Sequence, residues 1–205
     1  SLERQSIVAL SYTNTAANQL GDRFYKMIQQ AGIDKDYSIF SGTIHSFCFR
    51  MVKEYYKAFQ FIILDDDELL EMAEDIRETI NEKVSSTLIL DILKSNAHDV
   101  SPELYETVCQ IKESLNVIAI KDILLMFLNA LDDEQFQQWI RPRISMIAVD
   151  EAQDLCELNY QILDKLLNII PDLKLFLVGD PRQNIFEFNG GSYKNLYEFL
   201  VKHQL

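Results

Sequence analysis

The sequence predicts an α/β fold in which a parallel sheet flanked by helices is interrupted by an all-α insertion. Three observations predict it. Short runs rich in β-branched residues alternate with amphipathic helical stretches, the pattern of a right-handed parallel sheet. The run Met146-Ile147-Ala148-Val149 is apolar on both faces, as a buried parallel strand is. Strand signals vanish from about Phe61 to Arg143, where amphipathic helices follow one another. The expected division is 1–60 with 141–205 for the sheet and 61–140 for the insertion.

The first strand is Ile7-Val8-Ala9-Leu10, followed by the polar cluster Ser11 to Thr15. That cluster supplies N-caps for a helix with the apolar stripe Ala16, Ala17, Leu20, Phe24, Met27, Ile28 and Ala31, which Gly32 is placed to end. Tyr37 to Phe40 reads as a second strand. Ser41-Gly42-Thr43 then turns into a helix with Ile44, Phe47, Cys48, Met51, Val52 and Tyr55 on its inner face.

In the insertion, Leu69, Met72, Ile76 and Ile80 form one stripe, and Ser101-Pro102 marks a helix start. Ile123 to Leu131 is nearly all apolar, and Asp133 to Ile140 makes a short last helix. The sheet resumes at Ile144 to Val149. A helix carrying Leu158, Ile162, Leu166 and Leu167 follows and stops at Pro171. Leu173 to Val178 is a fourth strand, and Ser192 is placed to cap a final helix through Leu196, Phe199 and Leu200. All four strands end in polar residues, at the edge where open α/β sheets bind ligands.

Of the 205 residues, 48% are hydrophobic and 25% charged, a composition of an ordered globular protein. No apolar run reaches the length of a membrane span. Cys48, Cys109 and Cys156 lack metal-ligand spacing and read as core residues of a reduced, cytoplasmic protein. The net charge of −13 argues against a broadly basic nucleic-acid binder. Asp65-Asp66-Asp67-Glu68 and Asp132-Asp133-Glu134 hold much of the excess, at positions that suit helix starts.

The chemistry concentrates at the strand ends. In Asp150-Glu151-Ala152-Gln153-Asp154, an aspartate after a buried strand can hold Mg²⁺ while the next carboxylate polarises an attacking water. Three acids against a core strand are costly unless a positive group, usually a metal ion, joins them. Gly179-Asp180-Pro181-Arg182-Gln183 reads as a turn, or as a loop in which Gln183 brings a neutral hydrogen-bonding group to the acids. Tyr12, Phe186 and Phe188 read either as core aromatics or as stacking faces for unpaired bases. Thr13, Thr43, His45 and Ser46 can cap helices or donate to backbone phosphates, and Thr43 can do both.

Taken together, these stretches resemble the UvrD/Rep-like group of superfamily 1 DNA helicases. Ala9-Leu10-Ser11-Tyr12-Thr13-Asn14-Thr15-Ala16-Ala17 is similar to motif Ia, and Gly42-Thr43-Ile44-His45-Ser46-Phe47 to the element after it. Val149 to Asp154 resembles motif II, and Val178-Gly179-Asp180-Pro181-Arg182-Gln183-Asn184-Ile185-Phe186 resembles motif III. The resemblance implies a RecA-like (P-loop NTPase) sheet, truncated at its N-terminus, with a helical insertion in the position of the family's 1B subdomain. It implies Asp150 as Mg²⁺ ligand, Glu151 as activator of the hydrolytic water, and Gln183 with Asp180 at the nucleotide. It also implies Tyr12, Phe186 and Phe188 stacking single-stranded bases, with Thr13, Thr43, His45 and Asn189 along the strand.

There are departures. No Gly-x-x-x-x-Gly-Lys-Ser/Thr loop occurs, Thr15 stands where the family has lysine, and Asn189 stands where many members carry arginine. The expectation is a piece of the first motor domain of an ATP-dependent, 3′-to-5′ helicase. Its phosphate loop would lie before Ser1 and its arginine fingers beyond Leu205. ATP and Mg²⁺ are expected in the intact protein, with neither bound by this chain alone and no turnover from it. Single-stranded and duplex DNA are the expected partners, with self-association possible through the truncated sheet's edge. Two alternatives stay open: a degenerate helicase-like module that binds DNA or protein without ATPase activity, and another Mg²⁺-dependent α/β enzyme.

Overall fold

The computed structural model describes residues 6–32, 38–57, 60–80, 84–97, 100–180 and 193–204. The chain forms two compact units, Ser1–Tyr55 with Phe127–Leu205, and Tyr56–Met126.

The first unit begins with β1 (Ser6–Leu10), every residue of which is buried, and α1 (Asn14–Gln30). β2 (Ser38–Gly42) and α2 (Ile44–Tyr55) follow. Helix α1 turns most of its expected stripe inward, with Ala16, Leu20, Phe24 and Ile28 partly buried beside Ala17, and only Met27 and Ala31 fall outside it. Its buried residues are Ala17 and Gly21, while Met27 is 64% exposed. Gly21 is where the helix comes closest to β2, since a Cβ there would come within 2.8 Å of Ser41 Cβ. Gly32, at φ +60, follows the end of the helix as expected.

The second unit holds β3 (Ile62–Leu64), α3 (Asp66–Ile80), α4 (Ser86–Leu93), α5 (Pro102–Ser114) and β4 (Val117–Ala119). The expected all-α character is corrected here, because β3 and β4 pair in parallel, Ile62 with Val117 through Leu64 with Ala119. Three-residue strands are too short to display a period of two, and Val117-Ile118-Ala119 merges with the apolar run of the next helix. The helix starts behave as expected. Asp65 Oδ1 accepts from the N–H groups of Asp67 and Glu68, and Glu68 Oε2 accepts from Asp65 N–H at 2.9 Å. Ser101 caps α5 through Leu104 N–H, just before Pro102.

The core of this unit is aliphatic, built on Leu69, Ile76, Ile89, Ile92, Leu104 and Val108. One charge pair is buried beside it. Lys112 Nζ donates to Asp122 Oδ2 and to Leu93 O at 2.6 Å. Asp122 also accepts from Ala119 N–H and the Ser95 hydroxyl, each at 2.7 Å.

Helix α6 (Ile120–Ala130) carries the boundary between the units, and α7 (Glu134–Ile140) leads into β5 (Ile144–Val149). Residues 127–140, which the sequence groups with the insertion, lie in the sheet unit. Phe127 stacks edge-on against Phe47 and Phe136, with ring centroids 5.7 and 5.8 Å apart, and Phe136 does the same against Tyr55. After β5 come α8 (Glu157–Ile169), β6 (Lys174–Leu177) and α9 (Tyr193–His203). The four-stranded sheet has the order β2-β1-β5-β6, all parallel. No helix among the described residues is long and apolar enough to cross a membrane.

Candidate functional site

The strand register decides where the loops emerge. Leu10 is level with Gly42 and with Val149, and Val149 is level with Leu177. Main-chain hydrogen bonds carry the alignment one step beyond the strands. Ser11 N–H donates to Gly42 O, Asp150 N–H to Leu10 O, and Val178 N–H to Val149 O, at 2.8–3.2 Å. Tyr12 and Thr13, Thr43 and His45, Asp150 and Glu151, and Gly179 and Asp180 therefore all leave from one edge of one sheet.

At the centre, Asp150 is half-buried and its Oδ1 accepts from Glu151 N–H at 3.1 Å. Glu151 sits in the left-handed region, φ 54 and ψ 45, which is uncommon for a residue with a Cβ. The conformation ends the strand abruptly and starts the 3₁₀ turn Ala152–Asp154. Glu151 Oε2 accepts from Gln153 Nε2 at 2.8 Å. Gln153, at 1% exposure, is deeper than the carboxylate it holds.

The layer beneath is tight. Ala152 N–H donates to Val178 O at 2.9 Å, and the Tyr160 hydroxyl donates to Ala152 O at 2.6 Å. A Cβ on Gly179 would lie 2.3 Å from Gln153 Oε1 and 3.1 Å from Ala152 N, so only glycine fits that position as it stands. Burial, and then the Glu151 charge, push the Asp154 carboxyl above the usual carboxylate range. Burial, and then Asp154, push the Tyr160 phenol up as well. Among the described residues, Gln153 Oε1, Asp154 Oδ1, Ser11 Oγ and Asn159 Nδ2 are buried without a hydrogen-bond partner.

Asp150 also lines a cleft of about 400 Å³ whose other walls include Leu20, Arg23, Phe24, Phe176 and Val178. Phe176 and Val178 are more than half exposed there, so β6 is the least covered strand of the sheet. Among the described residues no group of three or more His, Cys, Asp or Glu could hold a metal ion. The donor set fits a hydrated Mg²⁺ that brings phosphate ligands and takes a single carboxylate, and it does not fit a cage closed by protein alone.

The helix starts on the same edge are capped. Thr13 Oγ1 accepts from Ala16 N–H at 3.3 Å, and Thr43 Oγ1 from Ser46 N–H at 3.2 Å. Each hydroxyl thus spends an acceptor site on its helix and keeps its proton to donate. His45 is half-buried, and burial lowers its pKa, so it is a neutral donor and not a cation near pH 7. Tyr12 is 37% exposed. Gln183, Phe186, Phe188 and Asn189 lie outside the described residues.

Sequence reading overlooked Gln153, Gly179 and Tyr160 as site residues. Gln153 carried a signal, as an amide between acids directly after a buried strand. Gly179 reads in the sequence only as a turn former and Tyr160 carried no signal, because the close contact of the first depends on the β5–β6 register and the hydrogen bond of the second on the turn of α8.

Compared with known proteins, the chain matches the UvrD/REP helicase N-terminal domain family over residues 1–103 and 74–204. It is 24% identical over 224 residues to the ATP-dependent DNA helicase Rep of Buchnera aphidicola subsp. Acyrthosiphon pisum, covering 98% of this chain and 34% of that protein. It is 27% identical over 216 residues to a probable DNA helicase of Mycoplasma pneumoniae, covering 91% and 40%. It is 24% identical over 227 residues to the ATP-dependent DNA helicase UvrD1 of Mycobacterium tuberculosis, covering 94% and 29%. The chain thus spans between about three-tenths and two-fifths of the length of these relatives.

Proposed function

Because the chain belongs to the UvrD/REP helicase N-terminal domain family, we propose that it is part of the first motor domain of an ATP-dependent DNA helicase moving 3′ to 5′ on single-stranded DNA. The observation that carries this reading is the alignment of four strand ends. It sets the acids of β5 beside the β6 loop and the capped helix starts after β1 and β2.

In this reading Asp150 holds Mg²⁺, which when bound would neutralise phosphate charge. Glu151 takes the proton of the attacking water, and its left-handed backbone together with the Gln153 amide fix where that carboxylate points. Gln183 and Asp180 face the nucleotide, with Gln183 sensing the terminal phosphate. Tyr12, Phe186 and Phe188 stack on bases. Thr13, Thr43, the neutral His45 and Asn189 hydrogen-bond the strand without adding charge. Residues 56–126 correspond to the family's 1B subdomain. ATP and Mg²⁺ serve the longer protein, DNA is its partner, and the 205-residue chain alone turns over no ATP.

The test is DNA-stimulated ATP hydrolysis. The isolated chain should show none. In the full-length protein Glu151→Gln should lower kcat by about 10²-fold or more while nucleotide binding is largely kept. Normal unwinding by that variant would remove Glu151 from the mechanism. The acid surplus favours a second reading, a binding module without a motor. DNA binding by a full-length protein that lacks all ATP turnover would select it. Self-association through the thinly covered β6 edge is a further expectation. Strictly monomeric elution across a hundredfold range of concentration would count against it.

A further inference from the structure

We propose that the unit Tyr56–Met126 carries a docking groove for a basic, amphipathic helical segment of a partner protein. The charge distribution is the first observation. This unit holds fifteen Asp and Glu against six Lys and Arg, a formal −9 of the chain's −13. Helix α3 alone has seven carboxylates and one arginine. Phosphate backbones and anionic lipid surfaces are repelled by such a unit, whereas cationic peptide is drawn to it.

The second observation is a groove of about 420 Å³ within the unit. Its floor is apolar, made by Leu64, Met72, Ile76 and Ile111, with Leu115 at 53% exposure at its lip. One wall is the acidic row Glu68, Glu71 and Asp75, at positions i, i+3 and i+7 of α3. Glu68 also caps its own helix through Asp65 N–H. Among the described residues no ion pair is made by Glu71 or Asp75, whereas Asp66, off this row, is paired with Lys94 at 2.8 Å. A partly buried apolar floor with an exposed leucine at its lip and a charged wall suits an amphipathic partner, and a row spaced i, i+3, i+7 matches cations spaced the same way on a second helix. The occupant is accordingly a helix of about three turns, with two or three aliphatic side chains for the floor and Lys or Arg along one flank.

The test uses the ¹⁵N-labelled 205-residue chain and a synthetic helical peptide with leucines at i, i+4 and i+7 and lysines on one flank. Saturable one-to-one binding is expected, with amide shifts centred on Met72, Ile76, Ile111 and Leu115. A control peptide of the same composition with scattered leucines should bind at least several-fold more weakly. Reversing two exposed charges, Glu71→Lys with Asp75→Lys, should weaken binding by about tenfold. Leu115→Ser should weaken it several-fold while leaving the circular dichroism and melting midpoint in place. Equal binding of the two peptides, or full affinity in Leu115→Ser, would reduce the effect to unspecific charge attraction and overturn the proposal. So would competition by a short DNA duplex for the same amides.

Discussion

Gly179→Ala is the substitution that most directly interrogates the acid cluster. Its new methyl would meet Gln153 Oε1 at 2.3 Å, and even after that amide moved it would still face Ala152 N at 3.1 Å. Gly179 is not in the left-handed region, where Gly32 alone of the described glycines lies, so the cost is steric and not conformational. Gln153 is 1% exposed and cannot swing into solvent without opening the 3₁₀ turn. Overpacking costs about 1–3 kcal/mol, and losing the Gln153–Glu151 hydrogen bond to a charged group adds about 1.5–3 kcal/mol where it is unrelieved. A net loss of about 2–4 kcal/mol is expected, to be read from urea unfolding of the 205-residue chain. Gln153→Ala in the same background removes the clashing atom. The double variant should therefore be more stable than the sum of the single effects by about 1 kcal/mol or more. Additivity within about 0.5 kcal/mol would show that Gly179 and Gln153 do not compete for the same space, and the account of this layer would fall.

Two further outcomes follow from groups described above. The Asp154 carboxyl titrates above its unfolded value, so its ionised form costs stability at neutral pH, and that cost is relieved as pH falls through the raised folded pKa. Asp154→Asn should accordingly raise the urea midpoint at pH 7 and lose this advantage towards pH 4, and an unchanged midpoint at pH 7 would contradict the assignment. In the second unit, Asp122→Ala strands Lys112, whose side chain is 12% exposed, and leaves Ala119 N–H and Ser95 short of an acceptor. A loss of about 3–5 kcal/mol is expected, seen in hydrogen exchange as early opening of residues 60–126. Uniform exchange across both units would argue against it.

What could be read in advance was whatever depends on neighbours in sequence. The caps Asp65, Ser101 and Asp133 and the abrupt passage from Val149 to Asp150 are local signals, and each stands where its pattern places it. Local periodicity held for most of the α1 stripe, but it does not reveal that Gly21 approaches β2 closely or that Met27 lies outside. It failed for β3 and β4, whose pairing joins residues about fifty positions apart. The acids of the site were visible for the same local reason. The amide of Gln153 and the turn glycine Gly179 could be seen singly, but their contact could not, since it exists only once β5 and β6 are in register.

The order of the strands has a temporal consequence. β1 lies between β2 and β5, and the pairing of Leu10 with Val149 must close across the whole of the second unit. Every contact within residues 56–126 spans a shorter stretch of chain. Loop-closure entropy therefore favours that unit as the earlier one to form, and the central β1–β5 seam as the later. On a ribosome the apolar stretch Ile7–Leu10 of β1 would emerge without its β5 partner and wait until β5 is made, an interval in which β2 is the one native neighbour already synthesised.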